Sequence, residues 1–355
     1  MASTPTSALR IGLIGAGMIG SVHAEAYRHI PGAKLAGVWD ADLLRAEKAA
    51  RPHGATAYAR REDLLREVDA VDICLPTVFH LENIEAAARA GKAVICEKPL
   101  GRTVEQCDRA IAACRAAKVP LLVGHVLRFF PEYVALRANI LNGSLGEPAV
   151  ARLRRVVCPP GPVGSWYWDY GVSGGCVFDT GIHDLDWLLW TLGRPRTVYG
   201  VGHFIAPQLK DVALLTLTWS SGLLAHLEVS WCHDTFSTSY EVSGSEGLIE
   251  CDLQDAVALR VVSTAGGATG GSAVPESPLA KSPYQAELEH FIEAIRGRAK
   301  PIVTPEEARE AVELANACLQ AVKTREVVEL PARKGSRKPK AGAKGGKRMP
   351  AAHPE

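Results

Sequence analysis

The sequence predicts an α/β chain: a doubly wound parallel sheet comes first, followed by an α+β part on a mainly antiparallel sheet. Three observations carry this. Between residues 9 and 123, short apolar runs alternate with helical stretches of 10–15 residues, the pattern of βαβ units on a parallel sheet. Runs such as AVDICL (residues 70–75) are apolar almost throughout, which suits strands covered on both faces. Beyond Arg128 the pattern changes to long strands joined by hairpin-like turns such as Ser221-Gly222.

Element by element, a strand at 9–14 leads into GAGMIG and a helical pattern through Tyr27. A second strand at 34–39 is followed by Asp40 and another helix. Strands at 70–75, 93–96 and 121–123 each follow an Ala-rich helix. A helix over 130–141 stops at Asn142-Gly143. Strands at 149–157, 212–220, 223–231 and 239–243 then form the second sheet, with a helix containing Asp179 packed on it. STAGGATGGSAVPESPLAKS (263–282) reads as a flexible Gly/Ser/Pro loop. Helices at 284–296 and 305–324 precede a closing strand at 327–330. Two domains are therefore expected, 9–128 and 129–330, between a disordered N-terminus (1–8) and a disordered basic tail (331–355). No internal repeat is visible.

Composition narrows the function classes. Hydrophobic residues make up 47% and charged residues 22% of 355 positions, and the net charge is +1. This is an ordinary globular balance with no steer toward nucleic acid or membrane. The average hides a tail with eight Lys or Arg against one acid; the remainder carries 32 bases against 38 acids. The tail reads as a solvated appendage, with loose polyanion contact as the alternative. Nine cysteines lack CxxC or zinc spacing, so free thiols in a reducing compartment are expected. MASTPTSALR has no apolar signal core, no run reaches the ~18 apolar residues of a membrane span, and a cytoplasmic location is expected.

Gly15-Ala16-Gly17-Met18-Ile19-Gly20 matches GxGxxG between a strand and a helix. Gly15 suits the tight turn, Gly17 lets a pyrophosphate approach, and Gly20 lets the helix pack closely on its strand. Phosphates would sit on the unpaired N–H groups at the helix start. Asp40 lies 20 residues beyond Gly20 at the end of the second strand, where a carboxylate binds a ribose 2′-OH and repels a 2′-phosphate. The pair defines a Rossmann dinucleotide site with NAD favoured over NADP. Arg45, a turn away, softens that preference.

VFDTGIHDLDW (residues 177–187) sets three aspartates and a histidine among Ile, Leu and Trp. At about 100° per residue, Asp179, His183 and Asp186 fall within roughly 60° of one another on one helix. Metal site, acid/base pair and solvated face are all open to such a stripe. No further ligands cluster nearby and one helix rarely completes a metal site, so no metal is expected. Glu97-Lys98-Pro99 closes a strand whose C-terminal end faces the ligand crevice, although Lys98 taken alone is better read as a surface lysine in a turn. Pro99 holds Lys98 out of the helical region, and a cis bond is one option.

With these residues in view, the run from Leu9 to Leu330 resembles the Gfo/Idh/MocA family of sugar and inositol dehydrogenases. GAGMIG, LPTVFHLENIEAAARAGKAVICEKPL, SGGCVFDTGIHDLD and GSEGLIE stand in the family's order and spacing. The resemblance implies an open-faced second sheet that mediates homo-oligomers. It makes Lys98 the catalytic lysine, Asp179 a substrate-binding aspartate and His183 the acid/base. The chemistry agrees: oxidising a secondary alcohol needs a proton acceptor of near-neutral pKa and a cation at the developing alkoxide.

Other positions follow from the resemblance. Leu75, Pro76, Thr77, Glu97 and Lys98 are expected at the cofactor, with His80 either there or only starting a helix. VGHVLRFFP departs from the common VGFNRRFxP, with Val126 and Leu127 replacing Asn and Arg. Arg128 remains, for an ion pair or for substrate, and Tyr284 is expected to approach the substrate. Trp166, Tyr167 and Trp168 stack on a sugar or pack in the core; Gly174-Gly175 approach the cofactor or form a plain turn. Asp184 reads as solvated or hydrogen-bonding, and Asp186 as structural. The expected activity is hydride transfer between NAD and a hydroxyl of a sugar, cyclitol or derivative. A non-catalytic NAD-binding sensor and an NAD-dependent hydrolase or lyase using transient oxidation are the alternatives.

Overall fold

The computed structural model describes residues 8–158, 160–161, 165–205, 210–252, 259–263, 272–273 and 281–331. The N-terminal segment, most of the Gly/Ser/Pro loop and the basic tail lie outside these residues. The six parallel strands are β1 (Leu9–Ile14), β2 (Ala33–Trp39), β3 (Thr56–Tyr58), β4 (Ala70–Ile73), β5 (Ala93–Glu97) and β6 (Leu121–Gly124). Their order, β3-β2-β1-β4-β5-β6, is that of a Rossmann sheet, with the chain reversing direction across β1 and β4. Helices α1 (Met18–Tyr27), α2 (Leu43–Ala50), α3 (Arg61–Glu67), α4 (His80–Arg89) and α5 (Val104–Ala117) connect them. β3 went unread in the sequence because three residues are too few to show a period.

After α6 (Pro131–Leu141) and β7 (Pro148–Val156), three short helices follow: α7 (Tyr170–Ser173), α8 (Gly175–Asp179) and α9 (Ile182–Leu192). The second sheet is completed by β8 (Thr197–Ile205), β9 (Lys210–Thr218), β10 (Leu224–Ser230), β11 (Ser237–Gly244), β12 (Gly247–Asp252), β13 (Leu259–Ser263) and β14 (Ser272–Ala273). The chain then adds α10 (Pro283–Ile295), α11 (Pro305–Thr324) and β15 (Val328–Glu329). The order is β14-β13-β12-β11-β7-β10-β9-β8-β15. All neighbours are antiparallel except β7 and β10, which run parallel. β8 was not anticipated; its VYGVG run has glycines where strand formers would signal it. β14 places a strand pair inside the stretch expected to be loop.

One face of this sheet is covered. Val198, Ala213, Leu215, Leu217, Ala225, Leu227 and Val229 are buried beneath α8 and α11, in a core continuous with that under the Rossmann sheet. α11 also lies against α5 and β6, while α10 returns to pack on α1. The opposite face leaves Tyr199, Val201, Leu214 and Leu224 exposed. Among the described residues, no helix is long and apolar enough to cross a membrane, and all nine cysteines are unpaired.

Candidate active site

The glycine turn ends β1 and opens α1. Gly15 has φ +105°, and a Cβ there would lie 2.7 Å from the Cys74 carbonyl oxygen, so the turn rests directly on the end of β4. A Cβ at Gly20 would overlap the Gly15 carbonyl, whereas one at Gly17 would meet nothing within 4 Å. Gly17 therefore fronts open space at the start of α1, which has neither a side-chain cap nor an acid in its first turn. Unpaired N–H groups and the positive end of a helix dipole are what a pyrophosphate requires. Asp40 accepts from Ala16 N–H at 2.7 Å and from Asp42 N–H at 2.9 Å, which fixes its carboxylate beside the turn. The residues fit a dinucleotide. Arg45 stands in an exposed pair with Asp42 at 3.6 Å.

Leu75, Pro76 and Thr77 follow β4 on the crevice side. His80 does not present its ring to that crevice: it is fully buried, with Nδ1 2.8 Å from the Pro99 oxygen and Nε2 2.7 Å from the Leu75 oxygen. The ring lies between the two loop carbonyls, and the nitrogen that carries its proton donates to one of them. The expected direct cofactor contact by His80 is thus replaced by a positioning role.

Lys98 leaves the end of β5 just before a cis peptide to Pro99. Its Nζ donates to the Asp179 carbonyl at 2.8 Å and to Asp179 Oδ1 at 3.3 Å, with both side chains about 15% exposed. Asp179 ends α8, where a cation also meets the negative helix end. The single helix expected through 177–187 is broken: α8 stops at Asp179 and α9 starts at Ile182. At the break, a Cβ on Gly181 would lie 2.7 Å from the Val177 oxygen, and Thr180 Oγ1 accepts from Trp231 Nε1 at 2.8 Å.

His183 sits in the first turn of α9, partly exposed, with Nδ1 buried and unpartnered. Burial, and then the positive charges of Lys98, Arg155 and His125, hold its pKa well below the usual histidine value. It is therefore a neutral imidazole at neutral pH, lower in pKa than the near-neutral value the sequence suggested.

The other two acids of the segment point elsewhere. Asp186 takes a bidentate pair from Arg128, at 2.9 Å and 2.7 Å. Arg128 Nη1 is spent on the Ile302 oxygen at 3.0 Å and Glu307 at 2.9 Å. Both Arg128 and Asp186 are almost fully buried. Of the two expectations for Arg128, the ion pair holds and substrate contact does not, because its guanidinium is taken up in locking α9 to the start of α11. Asp184 is also buried rather than solvated, accepting from Arg155 at 2.6 Å and 3.0 Å, and Arg155 reaches on to the Tyr133 hydroxyl at 2.6 Å.

Gly174 and Gly175 both adopt left-handed φ, +75° and +69°, and form a turn over Phe178 and Asp211. Trp166 stacks on Tyr167 at 3.8 Å between ring centroids, while Tyr167 and Trp168 pack against the core. Tyr284, on α10, stands with its ring 6.0 Å from that of His23. Sequence reading missed His23, Asp72, His125, Asp211 and Glu287. Of these, only His23 carried a local sign: a polar residue on the buried face of the helix that follows GxGxxG.

Residues 9–125 match the oxidoreductase family with NAD-binding Rossmann fold, GFO_IDH_MocA, and residues 133–250 match the GFO/IDH/MocA C-terminal domain. The chain belongs to the Gfo/Idh/MocA family and is an NAD-binding oxidoreductase. It is similar to inositol 2-dehydrogenase 4 of Saccharopolyspora erythraea, 33% identical, with 81% of this chain and 86% of that protein covered. It is also similar to the myo-inositol 2-dehydrogenase of Thermotoga maritima, 31% identical over 91% of this chain and 98% of that protein. Among solved structures, a probable dehydrogenase from Thermotoga maritima superposes with a TM-score of 0.77 at 30% identity, covering 90% of this chain and 98% of that one.

Proposed function

We propose that this chain interconverts a secondary hydroxyl and a ketone on a sugar, cyclitol or derivative, with NAD rather than NADP as its cofactor. NAD, when bound, supplies the hydride acceptor. His183 takes the hydroxyl proton: its Nδ1 is buried, so Nε2 is the nitrogen directed to the pocket, and the neutral ring is the form that accepts. Lys98 holds the reacting oxygen. The carrying observation is that Lys98 Nζ is held on Asp179 by two hydrogen bonds, near enough to His183 for its charge to act on that ring. Asp179 orients that amine, and its Oδ2, which accepts only a long bond from Thr180 Oγ1 at 3.5 Å, is the acceptor proposed for a second substrate hydroxyl. The Asp40 carboxylate selects against a 2′-phosphate. The inositol dehydrogenases among the relatives support the substrate class.

The folding units proposed are 9–128 and 129–330. A second copy of the chain is the proposed cover for the apolar outer face of β8–β10, and the nine free thiols fit a cytoplasmic setting. A screen of sugars and cyclitols with NAD⁺ and NADP⁺, read by nicotinamide absorbance, tests the reaction. Turnover of at least one polyol, faster with NAD⁺, is expected. NADH binding without turnover of any polyol would make the chain a sensor. Product formed without net absorbance change would make it a hydrolase or lyase.

A further inference from the structure

Behind Lys98 lies a buried group of ionisable side chains that the proposed reaction does not use. His23, from α1, places Nδ1 2.9 Å from Asp72 Oδ2, and Tyr27 donates to the same oxygen at 2.9 Å. The other ring nitrogen, Nε2, is 3.2 Å from Glu97 Oε1 but out of hydrogen-bond alignment, and both atoms are buried without a hydrogen-bond partner. Glu97 Oε2 accepts from the Lys98 N–H at 3.1 Å. Glu287, from α10, has no exposure, and neither carboxyl oxygen finds a partner among the described residues. The ligating atoms of His23, Glu97 and Glu287 lie within 4.8 Å of one another.

The charges decide what this cluster is. His23 faces Asp72 at 2.9 Å and Glu97 at 3.2 Å, so one imidazolium is set against two carboxylates, and Glu287 brings a third carboxyl group to the same buried site. Glu97 and Glu287, so close, cannot both ionise without an added positive charge. Burial, and then the Glu97 charge, push the Glu287 carboxyl well above the ordinary range. Burial opposes charge on His23, yet Cys74 and Asp72 outweigh it and hold its pKa well above the usual value. The remaining groups facing the site are Cys74 after β4, Tyr284 on α10, the Asp186–Arg128 pair with His125 beside it, and Lys98. Among the described residues the two cations are already paired, Arg128 with Asp186 and Lys98 with Asp179. The site adjoins the cofactor turn, because Gly15 rests on the Cys74 carbonyl, and it adjoins Lys98 through Glu97.

We propose that Glu287, kept as a neutral acid against Glu97 and His23, releases its proton to solvent when NAD⁺ binds and regains one when the cofactor is NADH. The oxidised nicotinamide carries the positive charge that the two carboxylates lack, and the reduced ring does not. NAD⁺ binding is then written as protonated enzyme plus NAD⁺ giving the complex plus one proton; NADH binding transfers none. The inference rests on the NAD binding that family membership establishes. It makes Glu287 a positioning residue for charge, acting through Glu97.

The test is equilibrium binding of NAD⁺ and NADH to the full-length protein across pH, with proton release read by calorimetry in buffers of different ionisation enthalpy. NAD⁺ affinity should rise with pH by up to about tenfold per unit while NADH affinity stays flat. In Glu287→Gln the NAD⁺ slope should vanish; in Lys98→Met, which removes the other group a cation would deprotonate, it should remain. Infrared difference spectra of the wild-type protein need no variant: a carboxylic-acid C=O band should be lost with NAD⁺ and kept with NADH. Equal pH slopes for both nucleotides, a slope that survives Glu287→Gln, or an acid band unmoved by NAD⁺ would each overturn the proposal. So would a stoichiometric divalent ion found in the purified protein.

Discussion

The segment 177–187 contains two kinds of aspartate, and their partners separate them. Asp184 and Asp186 are about 1% exposed, and each is gripped at both oxygens by an arginine fork. Asp179 is about 16% exposed; one oxygen meets a lysine amine at 3.3 Å and the other accepts only a long bond from the Thr180 hydroxyl at 3.5 Å. A guanidinium fork saturates a carboxylate and fixes it in place. A single ammonium leaves lone pairs and a donor over, which is what a group that must engage a transient ligand needs. Charged residues in one stripe are thus sorted into scaffold and chemistry by the geometry of the cation across from each.

The sharpest test of that division is His183→Ala, which removes the proposed proton acceptor and should cut turnover by about 10²–10⁴-fold. NADH binding should survive, as followed by fluorescence titration. Near-wild-type rates would abolish the distinction from the chemical side. On the scaffold side, Asp186→Ala strands the Arg128 guanidinium in a dry site and should cost about 3–5 kcal/mol. Asp179→Asn should cost under about 1 kcal/mol, the range of a partly exposed ion pair. Urea unfolding of the two variants compares them directly, and equal losses would refute the assignment of Asp179 to chemistry.

The pH profile sharpens the same point. His183 must be neutral to accept a proton, and the neutral form prevails above its pKa. Because that pKa lies well below the usual value, the acid limb of kcat/KM for alcohol oxidation should fall below about pH 6.5, the free histidine value. A limb at or above it would mean that His183 is wetter than this packing allows. On the cofactor side, Asp40→Ala should lower NAD⁺ affinity by about tenfold, the worth of a charged hydrogen bond, and the NADP⁺ to NAD⁺ ratio should rise. Steady-state KM values for the two cofactors would show it.

Much of the site was legible because its signals are short. GAGMIG, Asp40 at its fixed distance and Glu97-Lys98-Pro99 sit at strand ends of the Rossmann unit, and Asp179 and His183 are four positions apart, so chain geometry places each set close together. What escaped reading was long-range. The Arg128–Asp186 pair spans 58 residues and Arg155–Asp184 spans 29. Glu287 meets His23 only because α10 folds back onto α1. His80 matched a cofactor loop in sequence, yet its ring turned out to tie that loop to Pro99.

By itself the sequence determined the Rossmann unit and the cofactor, which depend on period and spacing that a chain carries locally; the resemblance of its motifs to the family is what singled out the three residues proposed for the chemistry. Only the tertiary structure decided which charges are free to act. It broke the 177–187 helix at Gly181, where the chain packs too closely for a side chain. It paired two of the three aspartates with arginines brought in from other strands and turns, and it buried Glu287 against Glu97. Charge state and reach depend on what lies across a gap of a few ångströms, and that is set by how distant segments pack.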